Sequence, residues 1–383
     1  MKKKVGVITL YNNNNNYGGI AQSYAIQRYI ESIGYECSII NYKRSRKGVF
    51  TIPQTQLTGV KRIKNALVRR IEMVGDVFLK NKIELRKICF AKSREVIPHT
   101  DVYDEENIQN CNKEFDIFIS GSDQIWKPFV LQLPYVLNFV DSKKTKISYA
   151  SSISQTELSD KYGCFMKKYL EEYKAISVRE KDAKDYLEKT IGRKVEWVVD
   201  PVLLLSSNEW KEVCNEERII KEDYIFCYLL GDRKEEREWA KKISKINKKK
   251  LVVFSHVEGH CRLYDIGFGD ISIYEAGLPE FLSLIRDASC VITDSFHATV
   301  FSFLFEKQFY VLPRRNKNSD ENMETRLTSV LTQMNLLERK ISDTLEVAGN
   351  IEENYIDYIH LKSNIKTQIE FSKDFLRENL EEK

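Results

Sequence analysis

Residues Arg286–Arg315 read RDASCVITDSFHATVFSFLFEKQFYVLPRR. An apolar strand at Cys290–Ile292, a polar turn Thr293-Asp294-Ser295, a helix from Phe296 to Phe305 and a second strand at Phe309–Leu312 follow one another without a break. Strand, turn, helix and strand in this order are a unit of an open α/β sheet. Asp294 and Ser295 are good N-cap residues, so they place His297 in the first turn of the helix, at the end of the strand. Unpaired N–H groups and partial positive charge gather at such a helix start, and ligands of open α/β sheets bind beyond the strand carboxyl ends. The spot therefore suits an anion, although a histidine there is, on this stretch alone, equally well a structural residue.

Working outward, 383 residues are too many for one ordinary core and suit two domains. A hydrophobic content of 42% with 30% charged residues belongs to a globular chain, and a net charge of +4 points to no nucleic-acid partner. The apolar run behind the basic start Met1–Lys4 is only a strand long, and no stretch approaches a membrane span. The eight cysteines show no C-x-x-C spacing and read as reduced core residues of a cytoplasmic protein.

Val5–Leu10 is a first buried strand, followed by an Asn-rich loop ending Asn16-Tyr17-Gly18-Gly19 and an amphipathic helix Ile20–Ser32 carrying Gln22. The glycines permit close backbone approach to a ligand, while the asparagines read mainly as loop formers. Between Lys43 and Pro98 stand fifteen Lys or Arg against four Asp or Glu, with Ile63, Leu67, Ile71, Val74 and Phe78 at helical spacing. Such a basic helical insertion is either a solvated helix packed on the domain or a surface for an anionic membrane or a phosphate-bearing acceptor.

Phe115–Ser120 is the next strand and ends in Gly121-Ser122-Asp123-Gln124-Ile125-Trp126. Lys146–Ala150 ends in Ser151-Ser152, Ala175–Val178 in Arg179-Glu180, and Val195–Val199 in Asp200-Pro201. Successive strands thus deliver polar residues at their carboxyl ends, as doubly wound sheets do around a ligand. Asp123 has the chemistry of an acid, a base or a hydroxyl acceptor, and equally that of an N-cap.

Ser206–Lys221 reads as a polar, helical domain boundary, after which strands at Tyr224–Leu229 and Leu251–Phe254 begin a second sheet. His256, Glu258, His260 and Cys261 have a spacing that two metal ligands could share, but Gly259 and the preceding strand favour a loop facing the interdomain cleft. Arg314, Arg315 and Arg326 lie close in sequence to the anion spot, and arginine suits a two-point grip on phosphate or carboxylate. The expected organisation is an α/β chain with an N-terminal domain at 1–205 holding the insertion 43–98, a C-terminal α/β domain at 206–350 and a helical tail at 351–383.

The ordered set Asn16-Tyr17-Gly18-Gly19 with Ala21-Gln22, Gly121–Trp126, Ser148–Ser152, Val178-Arg179-Glu180, Asp200-Pro201 and Thr293–His297 resembles the polysaccharide pyruvyl transferase family over roughly Val5 to Leu337. The resemblance implies two Rossmann-like domains facing a cleft, as in GT-B glycosyltransferases. The N-terminal domain is then the acceptor side and the C-terminal domain the donor-anion side. It also implies transfer of the enolpyruvyl-derived group of phosphoenolpyruvate to a sugar of a surface or capsular polysaccharide precursor, leaving a pyruvate ketal and releasing phosphate. No step of that chemistry calls for a metal or an organic cofactor.

In that frame His297 and Arg179 grip the donor, and Asp123, Glu180 and Asp294 are the proton handlers, unranked among themselves. Asn16, Tyr17, Gly18, Gly19, Gln22, Ser122, Gln124, Trp126, Ser151, Ser152 and Ser295 are the implied substrate-binding set. Many members carry Arg where Ser295 stands and Gly where Ala298 stands, so Arg314 or Arg326 is the candidate replacement cation. A lipid-linked oligosaccharide at the inner membrane face, with peripheral membrane contact, is one acceptor that fits, and a free glycan or nucleotide sugar is another. Two further classes stay open: a GT-B glycosyltransferase using a nucleotide sugar, and a carbohydrate-binding relative without turnover.

Overall fold

The computed structural model describes residues 2–45, 48–50, 59–155, 157–254, 263–314, 324–342, 351 and 355–381, with side chains described outside 59–74, 76, 263, 324–325, 360 and 362–364. The loop with His256, Glu258, His260 and Cys261 lies outside these residues, as do Arg315 and the side chains of Ile63, Leu67, Ile71 and Val74.

The first half runs β1 (Lys4–Ile8), α1 (Tyr17–Ser32), β2 (Glu36–Ile40), α2 (Gly59–Glu95), β3 (Ile117–Ser120), β4 (Thr145–Ser148), α3 (Asp160–Leu170), β5 (Ser177–Val178), α4 (Lys181–Ile191) and β6 (Glu196–Trp197). Continuous apolar strands such as Ile117–Ser120 are buried along their whole length, as parallel strands covered on both faces must be. Their order is β2-β1-β3-β4, all parallel. Bridges from Ile147 to Ala175 and from Ser151 to Val178 extend this edge toward the parallel pair β5-β6.

The second half runs α5 (Ser207–Val213), β7 (Tyr224–Tyr228), α6 (Lys234–Ile246), β8 (Lys250–Phe254), β9 (Ile271–Ile273), α7 (Leu278–Arg286), β10 (Cys290–Thr293), α8 (Phe296–Leu304), β11 (Gln308–Val311), α9 (Glu324–Met334) and α10 (Tyr358–Leu380). Its parallel sheet has the order β11-β10-β7-β8-β9. Strand order therefore reverses between β1 and β3 in the first lobe and between β7 and β10 in the second, which are the crevices where open sheets bind ligands. The expected helix over Ser206–Lys221 is shorter: a capping box between Ser206 and Glu209 starts α5, and extended backbone at Cys214 ends it.

One apolar core runs through both lobes. At their junction Tyr17 stacks on Phe281 with ring centroids 4.5 Å apart, touches Phe90 and Phe254, and donates from its hydroxyl to the Ala276 carbonyl at 2.9 Å. Trp210 of α5 packs edge-on against Phe301 of α8 and against Tyr24 of α1. The tail helix α10 then crosses back to the first lobe, where Ser372 accepts from the Val199 amide at 3.0 Å and Phe375 packs on Tyr149. The seven described cysteines are free, and Cys164 is exposed, against the expectation of a core position.

Candidate active site

The β10–α8 turn is held by its own polar side chains. The Thr293 hydroxyl donates to the Tyr228 carbonyl at 2.7 Å and accepts from the Ser295 amide at 3.0 Å, and Ser295 caps α8 by accepting from Ala298 N. The Asp294 carboxylate accepts from the amides of Leu230 at 2.7 Å and Gly231 at 2.6 Å, tying the ends of β7 and β10 together. Both oxygens of Asp294, a proton handler in the expected set, thus hold backbone donors, which makes the residue a strap between the two strand ends. Ser295 likewise serves as the cap.

His297 leaves this turn across the crevice and lies against α1 of the other lobe. A Cβ on Gly18 would sit 1.8 Å from His297 Nδ1, so only glycine leaves room for the imidazole. The ring is buried, and its Nε2 lies 3.6 Å from Asp200 Oδ2.

Arg179 reaches the same carboxylate from the end of β5. Its Nη1 donates to Asp200 Oδ2 at 2.5 Å, while Asp200 Oδ1 accepts from the Val202 amide at 3.0 Å. The guanidinium lies over the Phe296 ring at 4.4 Å, with Nε 3.8 Å from Glu180 Oε1 and Nη2 4.0 Å from Asp123 Oδ1. Residues 179 and 297, far apart in the chain, thus meet on one shared aspartate. Asp200 went unassigned from sequence, although its place at a strand end before Pro201 was the available signal.

Several buried polar atoms of this cluster have no hydrogen-bond partner among the described residues: Arg179 Nε and Nη2, His297 Nε2 and Glu180 Oε2. Such atoms are rare in folded proteins, where water, an ion or a polar ligand ordinarily satisfies them. Burial would raise the Asp200 carboxyl, but His297 and Arg179 outweigh it and hold the group well below the usual carboxylate range. Burial pushes Glu180 the other way, above its usual value, despite Arg179 and the hydroxyl of Ser152. Burial would also lower Arg179, yet Asp200, Glu180 and Asp123 keep it raised and firmly charged.

Arg326 completes the cluster from α9. It is buried, 5.9 Å from the Phe296 ring centroid, and its Nη1 and Nη2 donate to the side-chain oxygen of Gln124 at 2.6 and 3.0 Å when that amide is oriented to receive them. Burial, followed by repulsion from Arg179 and Arg314, pushes its guanidinium down to about 9. An anion set among these cations would relieve that repulsion.

Asp123 and Gln124 join this buried cluster to an open cleft of about 700 Å³ in the first lobe, whose walls include Asn12–Asn16, Tyr42, Lys43, Arg44, Arg86 and Phe90. Asp123 adopts φ 68°, a backbone conformation that a side-chain-bearing residue keeps only where its surroundings enforce it.

Other residues of the implied set have structural duties. Tyr17 belongs to the interlobe core, and Trp126 is fully buried with its Nε1 donating to the Tyr135 carbonyl at 3.0 Å. The Gln22 amide donates to Thr9 Oγ1 and the Gly19 carbonyl, both at 3.0 Å, and Ser122 and Ser151 donate to the carbonyls of Ala150 and Ser120. Asn16 caps α1 by accepting from Gly18 N at 2.9 Å, and a Cβ on Gly19 would meet Asn14 Nδ2 at 2.1 Å. Their common reason is that strand ends carry unpaired backbone groups, which neighbouring polar side chains satisfy first.

Among solved structures the chain is similar to UDP-N-acetylglucosamine 2-epimerase from Rickettsia bellii, at 10% identity over 98% of this chain and 96% of that one, with a TM-score of 0.50. The corresponding enzymes of Neisseria meningitidis (11% identity, 99% of each chain, TM-score 0.49) and Methanocaldococcus jannaschii (12%, 86% of this chain and 92% of that one, 0.49) are also similar. These likenesses concern the fold, which is the two-lobed GT-B arrangement of parallel sheets. No individually curated protein matches the chain. The sequence model of one family covers residues 16–316, spanning the helix that seats His297, both strand ends that carry Asp123 and Arg179, and the β10–α8 turn, and on that match the chain belongs to the polysaccharide pyruvyl transferase family.

Proposed function

We propose that this protein transfers the pyruvyl group of phosphoenolpyruvate to two hydroxyls of one sugar in a polysaccharide precursor. The observation that supports this is the buried meeting of Arg179, His297 and Arg326, next to Asp123 and Gln124, which line an open cleft. Phosphoenolpyruvate has two anionic groups and needs two cationic grips, which this cluster supplies.

The roles are assigned as follows. An acid protonates the methylene carbon, leaving positive charge at C2; Glu180, raised by burial, retains its proton to higher pH than an ordinary glutamate. A sugar hydroxyl adds to C2 and gives its proton to a base, a role assigned to Asp123 because it lines the cleft. Phosphate departs with the C2–O electron pair toward His297 and Arg179, and the second hydroxyl adds to C2, closing the ketal and releasing its own proton. A nucleotide-sugar donor fits less well, since α8 offers no carboxylate after the turn to hold a ribose diol.

The deciding experiment incubates the protein with phosphoenolpyruvate and candidate glycans while following phosphate release and ketal formation by mass spectrometry. Consumption of a nucleotide sugar with indifference to phosphoenolpyruvate would overturn the proposal.

Two variants probe the site. Gly18→Ala should fold normally yet lose about 10²-fold in turnover, because displacing the imidazole by an ångström or more spoils its alignment. A crystal structure of that variant with His297 unmoved would sink the explanation. Arg326→Gln should weaken phosphoenolpyruvate binding about 10- to 100-fold, the scale of one charge-assisted hydrogen-bonding group. In thermal melts at one phosphoenolpyruvate concentration, the Tm of the wild type should rise more than that of the variant; equal rises would exclude Arg326 from the donor site.

A further inference from the structure

Helix α2 has two unlike faces. Its inner face joins the lobes: Arg86 donates from Nε to the Tyr274 carbonyl at 2.5 Å and from Nη2 to Ile273 at 2.6 Å, Ser93 accepts from the Leu278 amide at 3.0 Å, and Phe90 packs on Tyr17. Arg94 of the same helix donates to the Asn14 carbonyl at 2.5 Å and so steadies the loop beside the cleft.

The outer face carries exposed apolar side chains, with Asn81 and Glu84 exposed beside them. At about 100° per residue, Val77, Phe78, Leu85 and Ile88 fall within one arc of about 100°, on the side away from Arg86 and Phe90. Their exposures are 73%, 83%, 40% and 50%. Four large apolar side chains exposed together on three turns of one helix form a patch of the kind that marks an interaction surface.

Charge selects what covers it. The helix carries eleven Lys or Arg against four Asp or Glu, a surplus of seven on a chain whose net charge is +4, so the rest of the protein is net negative. A second copy would bring this surplus against itself across a symmetric contact. An apolar stripe bordered by lysines instead matches a bilayer that presents acyl chains beneath anionic headgroups. We propose that the outer face of α2 docks on an anionic lipid bilayer, with Val77, Phe78, Leu85 and Ile88 entering the headgroup–acyl boundary. Arg86 and Phe90 on the opposite face line the cleft, so docking holds the mouth of the site beside the membrane. Binding of this kind is independent of the transfer reaction.

The test is co-sedimentation of the full-length protein with vesicles of phosphatidylcholine alone and of phosphatidylcholine with about one-third phosphatidylglycerol, the anionic component expected to attract a basic helix. The wild type should pellet with the anionic vesicles and stay largely in solution with the neutral ones. Combined Val77→Ser, Phe78→Ser, Leu85→Ser and Ile88→Ser should weaken that binding at least about 10-fold by removing the buried apolar area, with an unchanged circular dichroism spectrum. Lys80→Gln with Lys92→Gln should weaken it about tenfold, and only on anionic vesicles. No binding by the wild type, undiminished binding by the serine variant, or a wild-type dimer that the serine variant converts to monomer would each overturn the proposal.

Discussion

Replacing Arg179 with alanine is expected to cost both stability and turnover. Its guanidinium is fully buried against Asp200 at 2.5 Å, with Glu180 and Asp123 within 4.0 Å. Removing it strands an ionised Asp200 in the interior, and breaking a buried pair from one side costs about 3–5 kcal/mol. Turnover should fall by about 10³-fold or more, since a grip on the donor anion is lost together with the alignment of Asp200 and His297.

The acid side of the stability profile gives a second readout. Asp200 has a folded-state value depressed below its ordinary one, so it contributes stability that is present above the ordinary carboxylate range and lost as pH falls through the folded value. Without Arg179 that depression is smaller, although His297 still supplies part of it. The variant's Tm should therefore start lower at neutral pH and fall less steeply below about pH 5 than the wild type's. A neutral-pH Tm equal to the wild type's would show that the buried pair does not hold the lobe as described.

His297→Ala should separate chemistry from folding. The imidazole Nε2 lies 3.6 Å from an aspartate that retains Arg179, so its loss leaves no carboxylate without a cation. Turnover should drop about 10³-fold, the combined scale of proton transfer and of charge stabilisation at a departing group. In the proposed reaction the change should appear in kcat more than in KM, because His297 is there assigned to charge that develops as phosphate leaves, and Arg179 and Arg326 to the bound donor. A variant with intact kcat would remove His297 from the reaction and leave it a packing residue on Gly18.

The Arg286–Arg315 stretch illustrates how much was legible in advance. Its strand, cap, helix and second strand stand where the residues put them, with Ser295 as the cap and His297 in the first turn of α8. The strand-end polar clusters were equally visible, and Arg179, Glu180 and Asp123 do gather at one place. Tyr17, Gln22, Trp126, Ser151 and Asp294 were indistinguishable from them by sequence, since a polar or aromatic residue after a strand is needed as often to satisfy backbone groups or fill the lobe junction as to meet a ligand. Asp200 was the opposite omission: a short strand end before proline carries no sign of how many partners converge on it.

By itself the sequence determined what depends on neighbours a few residues away: the apolar runs that become parallel strands, the caps that start helices, the basic composition of α2. Which polar side chains meet in the buried cluster depended on contacts between Gly18 and His297, Arg179 and Asp200, and Gln124 and Arg326. Those groups lie on different elements and partly on different lobes, so their separation is set by sheet order and interlobe packing. Local propensity carries no information about either, which is why only the tertiary structure could join the histidine and the arginine over one aspartate.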